Sequence, residues 1–164
     1  MHQAADFKYY ENGDTKAVKL PYENGLSMVV VLGDTKNILN DIHNNKMTSK
    51  LVDVSLPKFK AEYSIDYVNI LKNMGIEKAF DNQNADFSLM LENYPERIKI
   101  DSVLQKAMID VDEKGTEAAA ATVAVLTKSA LSVDEEVIEF RADKPFTYCI
   151  LDDSGNVYFA GRYV

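Results

Sequence analysis

Basic residues, histidine, cysteine and long apolar runs are all scarce in this 164-residue chain, and each shortage removes a class of function. Lys and Arg number 18 against 26 Asp and Glu, a formal net charge of −8. The lysines are scattered, as at Lys46, Lys50, Lys58, Lys60, Lys72 and Lys78, and form no dense run. Nucleic acid and anionic membranes are therefore not expected as partners, because counterion release needs a cationic stripe. The lysines flanking Phe59 read as the solvated face of a strand. The one cysteine, Cys149, cannot close an intrachain disulfide, and its apolar setting between Phe146 and Leu151 predicts a buried, inert thiol.

Imidazole is available only from His2 and His43, which stand far apart in polar surroundings with no nucleophile paired to either. No His/Cys cluster has zinc spacing, and there is no glycine-rich phosphate loop. The stretch from Asp110 to Gly115 opens like a calcium loop. It fails at the fifth position, Lys114, and at the twelfth, where Ala121 replaces the needed Glu. No metal, cofactor or acid–base carboxylate pair is expected, and so no enzyme. No apolar run reaches the roughly 18 residues of a membrane span. The first six residues, Met1 to Asp6, have neither the basic start nor the apolar core of a signal peptide.

What is present is an ordinary globular composition, 46% hydrophobic and 27% charged, of a length that fits one domain. The first third predicts antiparallel strands. Asn12-Gly13 and Asn24-Gly25 are hairpin signals around Ala17 to Leu20 and the fully apolar run Leu26 to Leu32. Between Asp34 and Lys50, Ile38, Leu39 and Ile42 share one helical face, and one or two short helices fit there. Val52, Val54 and Leu56 alternate up to Pro57, and Phe59, Ala61, Tyr63 and Ile65 resume that period. Asp66 is placed to cap a helix with the apolar face Tyr67, Ile70, Leu71 and Met74, which Gly75 ends. Asn82 to Pro95 is looser, with a single turn around Phe87. Val103, Gln105, Ala107, Ile109 and Val111 share a strand face. Three more strands follow, at Val137–Phe140, Phe146–Leu151 and Val157–Val164, the last two joined by a turn at Asp153 to Asn156.

Between these strands, Glu113 to Glu136 has no apolar period, and loops of that length in compact domains are usually functional or disordered. Written as a strand, its first half puts Thr116, Ala118, Ala120, Thr122 and Ala124 on one face, all small. Glu117, Ala119, Ala121, Val123 and Val125 take the other, and Gly115 supplies a hinge. Such a face would slide into a packed interior. Four consecutive alanines equally suit a helix, so this window alone leaves both readings open.

The flanking residues carry a resemblance. Lys106-Ala107 leads through a strand into Glu113-Lys114-Gly115-Thr116-Glu117-Ala118-Ala119-Ala120-Ala121-Thr122, which resembles the proximal hinge of inhibitory serpins. Phe140-Arg141-Ala142-Asp143-Lys144-Pro145-Phe146 is similar to the family's C-terminal signature, and Gly155 to Arg162 to its closing strand. Leu20-Pro21-Tyr22, Leu26-Ser27-Met28, Leu56-Pro57-Lys58-Phe59, Leu71 to Ile76 and Ala79-Phe80 match earlier elements in order. Three positions depart: Thr147 where a large apolar residue is usual, Gln105 where many members have histidine, and no final proline after Gly161-Arg162.

The resemblance implies an α+β fold, part of the serpin fold, with mainly antiparallel sheets, a few short helices and a long exposed reactive loop at about 113–136. Residues 1–164 would then form the C-terminal part of a single serpin domain. It implies a serine protease inhibitor working by suicide: the loop is cleaved, the acyl-enzyme is trapped and the hinge inserts as a strand. Family spacing counted from Glu113 puts the reactive bond between Ser129 and Ala130, suiting an elastase-like or subtilisin-like protease. Lys128-Ser129, for a trypsin-like protease, and Leu131-Ser132, for a chymotrypsin-like one, are its rivals. An extracellular place of action is the family expectation. The alternative is a non-inhibitory or truncated serpin-like binding protein, whose exposed strand edges would recruit further copies.

Overall fold

The computed structural model describes residues 1–36, 38–44, 46–90, 98–112 and 137–164. They fall into two compact units, one of Met1–Lys58 with Asp112–Val164 and one of Phe59–Val111.

The first unit is built on a seven-stranded sheet. Strands β1 (His2–Asn12), β2 (Thr15–Pro21) and β3 (Leu26–Leu32) form the antiparallel start the alternation predicts. Both turns use glycine in the left-handed region, Gly13 at φ 57° and Gly25 at φ 78°, where a side chain would be strained. The first turn sits one residue later than the Asn-Gly signal suggests, because Asn12 still pairs with Thr15. Helix α1 (Ile38–His43) is the one helix of the polar stretch among the described residues. Ile38 is buried but Leu39 is half exposed, so the expected apolar face is narrower than its spacing implied.

Strand β4 (Thr48–Ser55) returns to pair antiparallel with β1, from His2↔Ser55 to Tyr9↔Thr48. Beyond residues 113–136, β7 (Ile138–Arg141) pairs with β4, the one parallel pair of this sheet among the described residues. Strands β8 (Phe146–Asp152) and β9 (Val157–Tyr163) pair antiparallel on the far side of β3. The order is thus β7-β4-β1-β2-β3-β8-β9. One face of the centre packs Tyr10, Ala17, Val29, Val31, Cys149 and Leu151 against Ile38 and Met47. As expected, β3 is covered on both faces and Cys149 is a free, buried thiol, which burial pushes up in pKa.

The second unit holds a two-stranded sheet, β5 (Phe59–Asp66) with β6 (Leu104–Val111), running antiparallel from Phe59↔Val111 to Asp66↔Leu104. Helix α2 (Val68–Asn73) lies between them, with single 3-10 turns at Lys78–Phe80 and Ser88–Met90. Gly75 ends α2 at φ 94°: its N–H bonds Lys72 O at 2.9 Å and that of Ile76 bonds Leu71 O at 3.0 Å. Asp66 caps α2 as expected: Tyr67 already has helical dihedrals, and Asp66 Oδ1 accepts the N–H of Val68 at 3.0 Å. The same oxygen accepts the N–H of Val103 at 3.1 Å, so it joins the helix start to the approach of β6. One expectation needs correction: the apolar face of α2 is not buried, since Ile70 and Met74 are exposed.

Candidate functional site

The expected loop lies outside the described residues. That covers the hinge positions Glu113, Gly115, Thr116, Glu117, Ala118, Ala119, Ala120, Ala121 and Thr122. It equally covers Lys128, Ser129, Ala130, Leu131 and Ser132 around the bond to be cut. The structure describes the strands that flank these residues in sequence, β6 before them and β7 after them.

On the proximal side, β6 delivers the chain to Asp112. Ala107, Ile109 and Val111 share a face with Ala61 and Phe59 across the ladder, as their alternation predicts. Gln105, on that face opposite Ile65, is exposed. Among the described residues the other edge of β6 has no strand beside it. The turn into β6 is held by Asp66, whose carboxyl lies below its ordinary pKa because the Val68 and Val103 amides bond it, with the Ser102 hydroxyl adding a third donor.

On the distal side, β7 carries the first half of the Phe140-to-Phe146 motif into the first unit. Phe140 is fully buried, as are Ala142 and Phe146, while Arg141 points out and donates from Nε and Nη2 to Glu139, both at 3.2 Å. The Ala142 N–H donates to Ser55 O at 2.9 Å, and Phe146 stacks on Tyr163 with centroids 5.0 Å apart. Thr147, the departure from the motif, sits half-buried between Val31 and Arg162, where a β-branched residue suits a strand. Only the Val52–Ser55 half of β4 is covered by β7. Its other half, Thr48–Leu51, has a free outer edge among the described residues. Beside it lies an open groove of about 460 Å3 lined by Tyr9, Glu11, Lys46, Thr48, Lys50 and Ile138.

Two side-chain clusters in this unit have no signature in the sequence. Tyr10 Oη donates to Asp41 Oδ2 at 2.5 Å and Lys46 Nζ to Asp41 Oδ1 at 2.6 Å, which ties α1 to the sheet. The Lys46 ammonium, then the Tyr10 hydroxyl, hold the Asp41 carboxyl below the usual range. The second cluster overturns an expectation. His2 does meet a hydroxyl: the β1–β4 register sets it opposite Ser55, with Nδ1 3.1 Å from Ser55 Oγ and Nε2 3.2 Å from Asp53 Oδ1. The ring is largely exposed and both partners stand on one strand, so the trio is a cross-strand tie. Among the described residues, no group of three or more His, Cys, Asp or Glu side chains has the arrangement to hold a metal ion.

A family model described as Serpin (serine protease inhibitor) matches residues 1–164. The chain is similar to an uncharacterized serpin-like protein of Thermococcus kodakarensis, with 37% identity over 99% of this chain and 40% of that protein. Serine proteinase inhibitor 2 of cowpox virus is 35% identical over 92% of this chain and 46% of its own length. Among solved structures, Serpin48 of the insect Tenebrio molitor has a TM-score of 0.69 and 33% identity, covering 99% of this chain and 44% of that one. The chain thus spans somewhat under half the length of the relatives it matches. The α+β, mainly antiparallel architecture expected from the sequence agrees with these neighbours.

Proposed function

Because the chain belongs to the serpin family, we propose that residues 113–136 are the bait loop of a serine protease inhibitor of which these 164 residues form the C-terminal part. A protease cleaves the loop between Ser129 and Ala130 and is held as an acyl-enzyme. The freed hinge then adds as a strand along the outer edge of β6. The observation that supports this reading is that β6 ends at Val111, two residues before Glu113 in the chain, and that its outer edge lacks a partner among the described residues. A strand joining there needs a small inner face, and Thr116, Ala118, Ala120, Thr122 and Ala124 supply one. Each new backbone hydrogen bond is worth a net ~1 kcal/mol, so several formed together with apolar burial drive the step without an external energy source. Strain stored before cleavage is released afterwards, and the inhibitor is consumed.

The small residue at Ser129 favours elastase-like or subtilisin-like targets. The relative named serine proteinase inhibitor 2 agrees with the inhibitory class. An extracellular place of action belongs to the same proposal. A second reading, a serpin-like binding protein that does not inhibit, is favoured by the same open edge of β6 if nothing in the functional molecule stands across from it. Incubation with elastase and with trypsin, followed by mass spectrometry of the released C-terminal peptide, tests the bond. The expected peptide begins at Ala130; one beginning at Ser129 or Ser132 moves the bond to a rival. A detergent-stable protease adduct separates inhibitor from binding protein.

A further inference from the structure

Two turns of the first unit carry the same Asn-Gly pair in different settings. Asn12 belongs to β1 and pairs with Thr15 across Gly13 and Asp14. On the rung before it, Glu11 and Lys16 form an ion pair at 3.2 Å. Asn24 lies in the connection between β2 and β3, outside either strand, beyond the last rung Pro21↔Ser27. The Tyr22 N–H closes this connection by donating to Leu26 O at 2.8 Å. The Asn24 side chain folds back over its own backbone, because Oδ1 accepts the Leu26 N–H at 3.4 Å. Asn24 and Gly25 are both exposed, so water and hydroxide reach them.

Asparagine is a thermolabile residue, and glycine after it removes the side chain that would shield the backbone nitrogen. That nitrogen attacks the side-chain carbonyl carbon when its path is open. A Cβ built on Gly25 would meet nothing within 4 Å, so the turn is uncrowded on that side. The Leu26 N–H faces the oxygen on which negative charge collects as the tetrahedral intermediate forms. A donor fixed there lowers the barrier. At Asn12 the backbone is held in the β1–β2 ladder, and its rung must break before the side chain meets the Gly13 nitrogen.

We infer that Asn24 is a modification site, at which the folded chain deamidates spontaneously in water, and that the fold directs this reaction there rather than to Asn12. Hydroxide takes the Gly25 amide proton, and the nitrogen bonds to Asn24 Cγ. The Cγ–Nδ2 bond breaks, and the amide leaves as ammonia with a proton from water. A second water then opens the succinimide ring at one of its two carbonyls, leaving aspartate or isoaspartate, with nothing oxidised or reduced. Either product sets a new carboxylate beside Glu23. Both positions line an open groove of about 570 Å3 together with Tyr22, Tyr158 and Phe159, so the charge of that groove changes with the age of the molecule. Isoaspartate also lengthens the main chain inside the turn that the Tyr22–Leu26 bond closes. None of this depends on the bait-loop reading.

Incubation of the 164-residue chain in heavy-oxygen water, followed by peptide mapping, tests the assignment. The peptide holding Asn24 is expected to exchange its side-chain NH2 for a heavy-oxygen hydroxyl and to become a substrate for isoaspartate methylation. Its rate should rise with pH, because the attacking nitrogen must first lose its proton. One net backbone hydrogen bond that has to break at the Asn12 rung predicts a lag of about fivefold or more at that position. Free peptides of Glu11–Thr15 and Glu23–Ser27 lack the ladder, and in them the two asparagines should react alike. Equal loss at the two positions in the folded chain overturns the proposal. So does an Asn24 that stays intact in the folded chain after the free peptide has reacted.

Discussion

Replacing Gly161 by alanine probes how β9 closes the sheet. Gly161 pairs with Tyr148 across β8 and β9. A Cβ built on it would lie 2.5 Å from Tyr148 Cζ and 3.1 Å from Cε1, closer than side chains tolerate. Gly161 is not among the glycines with positive φ, so its backbone accepts alanine and the ring alone opposes it. Tyr148 is only 6% exposed and cannot yield freely. Overpacking of this kind costs about 1–3 kcal/mol. Without the ring the sign reverses, because alanine in a strand is better than glycine by ~0.5–1 kcal/mol. Urea unfolding of Gly161→Ala, Tyr148→Ala and the double variant should therefore show a coupling of roughly 1.5 kcal/mol or more between the two sites. Burial raises the Tyr148 phenol, so displacement of the ring in Gly161→Ala should bring its titration back toward the ordinary tyrosine value. A Gly161→Ala variant as stable as the parent, with an unmoved phenol, refutes this account of the closing strand.

Two further predictions concern the sheet and the hinge. The Asp41 carboxyl is held low in the folded chain by Lys46 and Tyr10. Its contribution is therefore complete above the unfolded carboxyl value of about 3.9 and is lost as pH falls through the lower folded value. Thermal unfolding against pH should show Asp41→Asn destabilised at neutral pH, with the gap to the parent closing in acid. A gap that widens in acid contradicts the assignment. In a full-length inhibitor carrying these residues, Thr116→Arg would force a long cation into the interior on insertion and turn inhibitor into substrate, read as loss of the detergent-stable adduct with cleavage retained. An unchanged adduct yield speaks against insertion.

Local elements were legible because local physics fixes them. The alternation of Val52, Val54 and Leu56, the αL glycines at 13, 25 and 75, and the unbroken apolar run of β3 each need only a few neighbouring residues to be read. Partner choice was not legible. Nothing in Ile138–Arg141 says that it lies parallel to β4 rather than antiparallel to its neighbours, since period-two patterning names a face and not a mate. The His2–Ser55–Asp53 tie and the Tyr10–Asp41–Lys46 cluster escaped for the same reason, being made by register between distant segments. The exposure of α2 shows the converse limit: an amphipathic spacing predicts a face fit for burial, not the presence of something to bury it. For the loop, the small-residue face and the flanking motifs carried the identification, which rests on sequence and kinship.

The strand order has a consequence for the making of the molecule. Both margins of the seven-stranded sheet, β7 on one side and β8-β9 on the other, are written in the last 27 residues, while β1 to β4 that fill its centre come first. As the chain emerges from the ribosome, the central strands can pair early but must wait with both flanks bare until residues 113–136 have already been synthesised. Long-range pairing of this kind is slow. The nascent chain therefore passes through a stage with its sheet unsealed, the stage at which holdase chaperones or premature proteolysis would act on it.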